Sequence, residues 1–285
     1  MGILFATMAL VCWGFGDFLI QRSARKFGDW IALFYITAFG AIILFPFIYR
    51  DLISSFTAHS PLLWITSFVI LFAALLDFEA LKVGKISVIE PIYALEIPVT
   101  AFLGTYIAKE HLSPEQNFLI IILIMGIILI STQSFSYFKK FTFERGVWYA
   151  LLATIGMGSA NFLFGISSRE TSPLLVNWFT NLFIAVIAFL YLLFNSRLKE
   201  MVNDVKNNHK LILSVSLFDN LAWITFSYAT LYIPIAIATG ISEGYIAFAG
   251  GLGLLFNKEK LKTHQWVGFV VTIISVVILA FTTQD

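Results

Sequence analysis

Seven carboxylates lie inside strongly apolar stretches of this chain: Asp17, Asp77, Glu79, Glu90, Glu96, Asp219 and Glu243. No Lys or Arg shares those stretches. A carboxylate at the centre of a bilayer costs roughly 2.5–3.5 kcal/mol on insertion scales. Left uncompensated, the seven would outweigh a typical net stability of about 5–15 kcal/mol. They must therefore face protein or water, or carry a proton. Ionisable groups in that position are the usual chemistry of a proton or substrate pathway.

Depth sorts them. Glu96 lies about ten residues into its apolar stretch, roughly 15 Å deep at the helical rise. Glu243 and Asp219 are roughly 12–14 Å into theirs by the same rise. These three lead as substrate or proton pathway residues, followed by Glu90, Asp77 and Asp17. The plainer reading is an interhelical hydrogen bond that only holds a bundle together. For Asp17, near Arg22, and Glu79, near Lys82, it is a surface ion pair reached by snorkelling. Trp13, Tyr93, Asn161, Trp223 and Tyr245 are candidates to line a cavity around the acids, with Tyr228, Asn177, Asn181 and Asn220 also nearby. Aromatic faces attract organic cations, although most aromatics in such a chain pack or anchor.

Other chemistries find little support. His59, His111, His209 and His264 fall in or beside polar connections and lack metal-ligand spacing. Cys12 is the single cysteine and cannot form an intrachain disulfide. Gly250-Gly251-x-Gly253 sits within an apolar stretch and lacks the Lys-Ser/Thr of a phosphate loop. The expectation is no enzyme, no catalytic residue, no cofactor and no metal. A net charge of +1 gives no reason to expect nucleic acid as a partner.

The elements that carry these residues follow from composition. The chain is 59% hydrophobic and 12% charged, with mean hydropathy +0.88. A soluble domain is usually near 45–50% apolar and about 25% charged. A bilayer core needs roughly 20 apolar residues per helix. Ten segments qualify: 2–20, 30–49, 61–81, 86–108, 117–135, 146–166, 174–195, 211–231, 234–256 and 266–283. The first lacks the basic flank and cleavage site of a signal peptide and reads as a retained helix. The expected fold class is an all-α membrane protein, with ten transmembrane helices as two inverted five-helix repeats.

Of 18 Lys and Arg, only Arg50, Lys109 and Arg169 fall in connections on one side. The remainder fall after helices 1, 3, 5, 7 and 9. The positive-inside rule puts that basic side in the cytoplasm and both termini outside, in the plasma membrane.

The halves resemble each other. Trp13-Gly14-Phe15-Gly16-Asp17-Phe18-Leu19 aligns with Met157-Gly158-Ser159-Ala160-Asn161-Phe162-Leu163. Lys109-Glu110-His111-Leu112-Ser113-Pro114-Glu115-Gln116 aligns with Lys258-Glu259-Lys260-Leu261-Lys262-Thr263-His264-Gln265. The boundary falls near residue 140, giving repeats over 1–140 and 141–285. Five helices is an odd number, so the second repeat must run upside down, as in many secondary transporters. Pro91 and Pro98 interrupt the fourth helix, and a broken helix bearing Glu90 and Glu96 points to a binding site. Gly240, Gly244, Gly250, Gly251 and Gly253 make the ninth helix a close-packed, moving element, or else a homodimer contact.

These features resemble the drug/metabolite transporter superfamily, in particular its EamA-like branch. The carriers are Trp13-Gly14, the run Ala80-Leu81-Lys82-Val83-Gly84-Lys85-Ile86-Ser87-Val88-Ile89-Glu90-Pro91, and the duplicated Lys-Glu-x-Leu with Gly126 behind its first copy. The resemblance implies a ten-helix transporter without ATP hydrolysis. Its cavity would be lined by helices 1, 3, 4, 6, 8 and 9, with helices 5 and 10 peripheral. Many relatives keep their termini in the cytoplasm, the reverse of what the charges indicate here. Cargoes in the superfamily include amino acids, nucleobases, sugars, organic cations and drugs, and some distant relatives are linked to magnesium.

The leading expectation is a secondary active transporter of small organic metabolites (amino acids, amines or organic cations), proton-coupled, working by alternating access. An all-acidic interior favours cationic or zwitterionic cargo, since no buried Arg can clamp an anion. The alternatives are a divalent-cation pathway built on carboxylate oxygens, and a non-transporting membrane scaffold or sensor with a dry centre. The expected partners are a small-molecule substrate and the lipid bilayer.

Overall fold

The structure is a computed structural model and describes residues 1–49, 52–83, 92–132, 145–248 and 262–283. The described residues form ten α-helices: α1 (Gly2–Phe27), α2 (Asp29–Ile48), α3 (Leu52–Val83), α4 (Glu96–Tyr106), α5 (Pro114–Ser131), α6 (Arg145–Glu170), α7 (Pro173–Phe194), α8 (Leu198–Ala229), α9 (Ile235–Glu243) and α10 (Thr263–Thr282). Seven, namely α1, α2, α3, α6, α7, α8 and α10, contain stretches long and apolar enough to cross a membrane. Pro114–Ile130 and Ile235–Phe248 are shorter apolar helices.

Several helices outrun the apolar segments. Helix α1 continues to Phe27, so Arg22, Arg25 and Lys26 ride on its last turns rather than in a loop. Helix α8 begins at Leu198, a full polar stretch before its apolar part. Backbone bonding continues wherever it is undisturbed, and side chains at the interface can be polar. The helices bend where that bonding is interrupted. His59 in α3 (φ −122°, ψ 16°) and Asn208 in α8 (φ −136°, ψ 23°) are both non-helical. The Lys109/Lys258 alignment makes His59 and Asn208 equivalent. Glu90 and Pro91, and Gly250, Gly251 and Gly253, lie outside the described residues.

The repeated Gln of the Lys-Glu-Leu motif has a local cause. In α5, Ser113 Oγ accepts from Gln116 N–H (3.1 Å) and Gln116 Oε1 accepts from Ser113 N–H (2.9 Å). In α10, Gln265 Oε1 accepts from Lys262 N–H (3.0 Å). Each Gln satisfies an orphan donor at the start of the last helix in its half.

Packing between the halves is reciprocal. Helix α1 packs chiefly on α8 and α3 on α6, α2 on α7, α5 on α10, and α4 on both α6 and α9, while α9 also meets α1. Shifting every label by five reproduces the same set. Two equivalent pairs run antiparallel. Along α2 and α7 the ring pairs are Trp30–Tyr191, Phe34–Phe189 and Phe45–Trp178, so one numbering rises as the other falls. Helices α5 and α10 behave likewise. A Cβ on Gly268 would lie 2.5 Å from Ile130 N, and one on Gly126 2.6 Å from Thr272 Oγ1. Only glycine allows those backbones so close.

Candidate functional site

A cavity of about 120 Å³ lies where the halves meet, room for several waters or a small solute. Asp17, Asp77, Glu96, Asp219 and Glu243 all line it. So do Trp13, Tyr93, Asn161, Trp223 and Tyr245. None of the described lining residues is Lys or Arg. Glu90 falls outside the described residues. Glu96 and Glu243 are the deepest, at 8% and 4% exposure. Asn161 Nδ2 donates to Glu96 Oε2 at 3.4 Å, and Glu243 has no hydrogen-bond partner among the described residues. The Tyr245 and Tyr93 side chains stand against Asp17 and Asp77.

Two interrupted helices place the deepest acids. Ala94 and Leu95 form a turn directly before α4, with Leu95 N–H donating to Ile92 O at 3.0 Å. Pro98 explains the position of this break. It lacks an N–H and would crowd the carbonyl of Ala94 in a continuous helix, but it is tolerated in the first turn of a new one. Helix α9 ends at Glu243, and Gly244 forms a turn before Tyr245–Phe248 continues. The Lys109/Lys258 alignment equates Leu95 with Gly244, so the break recurs at one repeat position. Gly158 of α6 lets the opposite half close on this point. Its carbonyl accepts from Thr100 Oγ1 at 2.9 Å, and a Cβ there would be 2.9 Å from Glu96 O.

Some lining groups hold the bundle instead. Asn181 Nδ2 donates to Asn220 Oδ1 (2.9 Å), and Asn220 Nδ2 donates to Ile36 O (3.0 Å). Asn177 Nδ2 donates to Pro173 O (2.7 Å) and Ser227 Oγ (2.8 Å). Trp13 packs edge-on to Trp223 at 5.3 Å, which stacks near Phe164 at 4.6 Å. Glu79 pairs with Lys82 at 2.6 Å and does not line the cavity. The cavity also recruits Thr37, Met157 and Thr180. Nothing in the sequence distinguished these from other helical residues.

The lining reaches Ile20 in α1, Leu33 in α2 and Phe78 in α3, toward the end of the bundle where α1 turns into α2. At the opposite end an ion pair joins the halves. Arg169 of α6 meets Glu110, after α4, with Nη1 to Oε1 at 2.7 Å. Both Glu110 oxygens accept from Ile235 N–H at 3.0 Å, capping α9. Arg169 also donates to Thr230 O (2.7 Å) and Ile233 O (3.1 Å). Lys109 holds a left-handed conformation (φ 55°) that turns Glu110 inward. In the sequence Glu110 stands out only as part of the repeated Lys-Glu motif. The available signal was Arg169, one of three basic residues on its side.

Repeat symmetry recurs with altered chemistry. The Trp13/Met157 alignment equates Arg25 with Arg169 and Lys26 with Glu170. Arg25 Nη2 donates to Leu81 O at 3.4 Å, the equivalent of the Arg169–Thr230 bond. Lys26 bonds Asn208, whereas Glu170 faces His59 at 4.0 Å. Among the described residues, no three His, Cys, Asp or Glu side chains converge as a metal site.

Comparison with known proteins gives a family and a fold. The model of the EamA-like transporter family matches residues 1–132 and again residues 144–281. One solved structure, titled "Crystal structure of protein", superposes with a TM-score of 0.77 over 99% of this chain and 96% of its own, at 11% identity. That likeness concerns the fold alone. No curated protein matches the sequence.

Proposed function

The chain belongs to the EamA-like transporter family, and from that premise we propose that it is a proton-coupled secondary transporter of small organic cations or zwitterions, such as amines and amino acids. A multi-pass membrane transporter of small solutes is the family's character. The cargo class rests on one observation: five carboxylates line the central cavity, with no Lys or Arg among the described lining residues. Such a chamber attracts positive charge and repels anions. Trp13, Trp223, Tyr93 and Tyr245 add faces for an organic cation.

The architecture supports alternating access as the mechanism. Residues 1–140 and 141–285 are two five-helix repeats, inverted relative to each other, with ten crossings in all. The antiparallel pairing of α2 with α7 and α5 with α10 supports this, as do the matching kinks at His59 and Asn208. Glu96 and Glu243 sit beside equivalent breaks in α4 and α9, where one half can rock on the other. Glu110 and Arg169 latch the end remote from the chamber's mouth. With both termini outside, the latched end faces outward and the chamber faces the cytoplasm. Protons compete with the cation for the same carboxylates, which links the two fluxes. A divalent-cation pathway finds no three converging ligand side chains among the described residues, and a scaffold has no need of the chamber.

Reconstituted liposomes test this reading. Flux of small amines, but not of comparable anions, is expected to respond to an imposed proton gradient. Glu96→Gln and Glu243→Gln are expected to abolish that response. Indifference to the gradient together with full activity of both variants would defeat it.

A further inference from the structure

Near the C-terminal end of α1, away from the central chamber, a shallow groove is lined by Phe18, Gln21, Arg22, Arg25 and Lys26. Phe18 is 64% exposed, and lies seven and eight residues before Arg25 and Lys26. At 1.5 Å per residue the groove thus runs roughly 10–12 Å along the helix, from an apolar mouth to a cationic rim. Arg22 and Arg25 have no carboxylate partner among the described residues. The contrast with Arg169, the repeat mate of Arg25, is informative, because Arg169 is neutralised by Glu110 at 2.7 Å. Lys26 bonds the Asn208 amide oxygen, and the Asp204 carboxylate lies close enough to feel its charge.

Gln21 supplies an independent sign. It is 8% exposed, yet its Nε2 has no hydrogen-bond partner among the described residues. A buried unpaired amide donor is disfavoured by about 1–3 kcal/mol, so such donors usually point to a missing acceptor. Gln21 also lines the groove, beside the three cations of its rim. An oxygen-rich anion that reached the amide would satisfy it and the guanidinium groups together. Phosphate suits this geometry, because Arg recognises its oxygens with a planar fork of donors. Phe18 extends the groove toward the acyl region, which a free anion has no use for.

We propose that this groove binds the phosphate of an anionic phospholipid, with Gln21, Arg22, Arg25 and Lys26 on the headgroup and Phe18 against the glycerol and upper acyl chains. The site is independent of the cargo in the central chamber. It lies at the bundle end bearing most of the basic residues, where anionic lipid is attracted to the protein surface.

The test is lipid retention by the full chain in nanodiscs and by native mass spectrometry in detergent. Phosphatidylglycerol is expected to be retained at one copy per groove in preference to phosphatidylcholine. Arg22→Gln with Arg25→Gln is expected to weaken retention about 25-fold, at roughly fivefold per cation. Gln21→Leu, which leaves every charge in place, is expected to weaken it severalfold, and a general surface-charge effect would not show this. Competition on unmodified protein provides a readout independent of variant folding. Millimolar inorganic phosphate should leave the bound lipid in place. Equal retention of the two lipids, unchanged retention in the double variant, or displacement by inorganic phosphate would overturn the proposal.

Discussion

Replacing Glu110 by Gln isolates the charge of the latch with little change in shape. Gln can still accept from Ile235 N–H, so α9 keeps a cap. What is lost is the charge-assisted interaction with Arg169 at 2.7 Å. Hydrogen bonds to charged groups contribute about 1.5–3 kcal/mol net. Arg169 is 31% exposed at its side chain, so the value belongs toward the lower part of that range, near 2 kcal/mol. A change of that size multiplies the opening equilibrium by about 30. Hydrogen exchange of peptides covering residues 230–240 reads the opening directly, because Ile235 N–H is bonded to Glu110. Exchange there is expected to quicken about 30-fold by the same conversion, while α5 and α10 stay unchanged. Arg169→Gln should open the latch further, because it strands the Glu110 carboxylate, whose side chain is only 8% exposed. Exchange within threefold of the parent protein in both variants would refute the latch as a barrier to opening.

Three further outcomes follow from the same geometry. Cation affinity, read by isothermal titration, should fall as pH falls, because protonation removes negative charge from the chamber; in Glu243→Gln the slope should be shallower. Gly268→Ala puts a Cβ 2.5 Å from Ile130 N, a backbone atom that cannot turn aside; destabilisation of about 1–3 kcal/mol is expected in thermal unfolding, with KM for cargo unchanged. Gly158→Ala would press on Val99 Cβ at 2.7 Å and Glu96 O at 2.9 Å; transport should drop on the order of tenfold to a hundredfold while the protein remains folded and monodisperse.

The parts of the fold written in the sequence are those with local causes. Apolar length marked most of the helices, and the motif Gln marked the start of α5 and α10 through a bond to a residue three positions away. Depth within apolar segments singles out Glu96, Glu243 and Asp219; the first two are the most buried of the chamber's acids, and Asp219 is half-buried. Helix ends were read poorly, because hydrophobicity stops at the bilayer boundary and backbone bonding does not. Hydropathy puts Arg22, Arg25 and Lys26 in a loop for that reason, whereas they ride on α1. The latch was invisible for another reason. Glu110 and Arg169 are 59 residues apart and belong to different halves, so no local pattern joins them.

That latch bears on which state a duplicated bundle favours at rest. Two identical inverted halves would make the chamber's two open states equal in energy, and no state would be favoured at rest. Here symmetric positions carry unlike chemistry. Lys26 with Asn208 stands opposite Glu170 with His59, and Arg25, without a carboxylate among the described residues, stands opposite Arg169 with Glu110. A bias of about 2 kcal/mol from the latch alone holds one end closed roughly 97% of the time. Cargo or protons can reverse a bias of that size only by binding the other state more tightly by a similar amount. The carboxylates beside the α4 and α9 breaks are placed where their occupancy can do so. Charge-neutral variants at Glu96 and Glu243 should therefore alter exchange at residues 230–240 only when cargo is present, whereas Glu110→Gln should alter it in the empty protein.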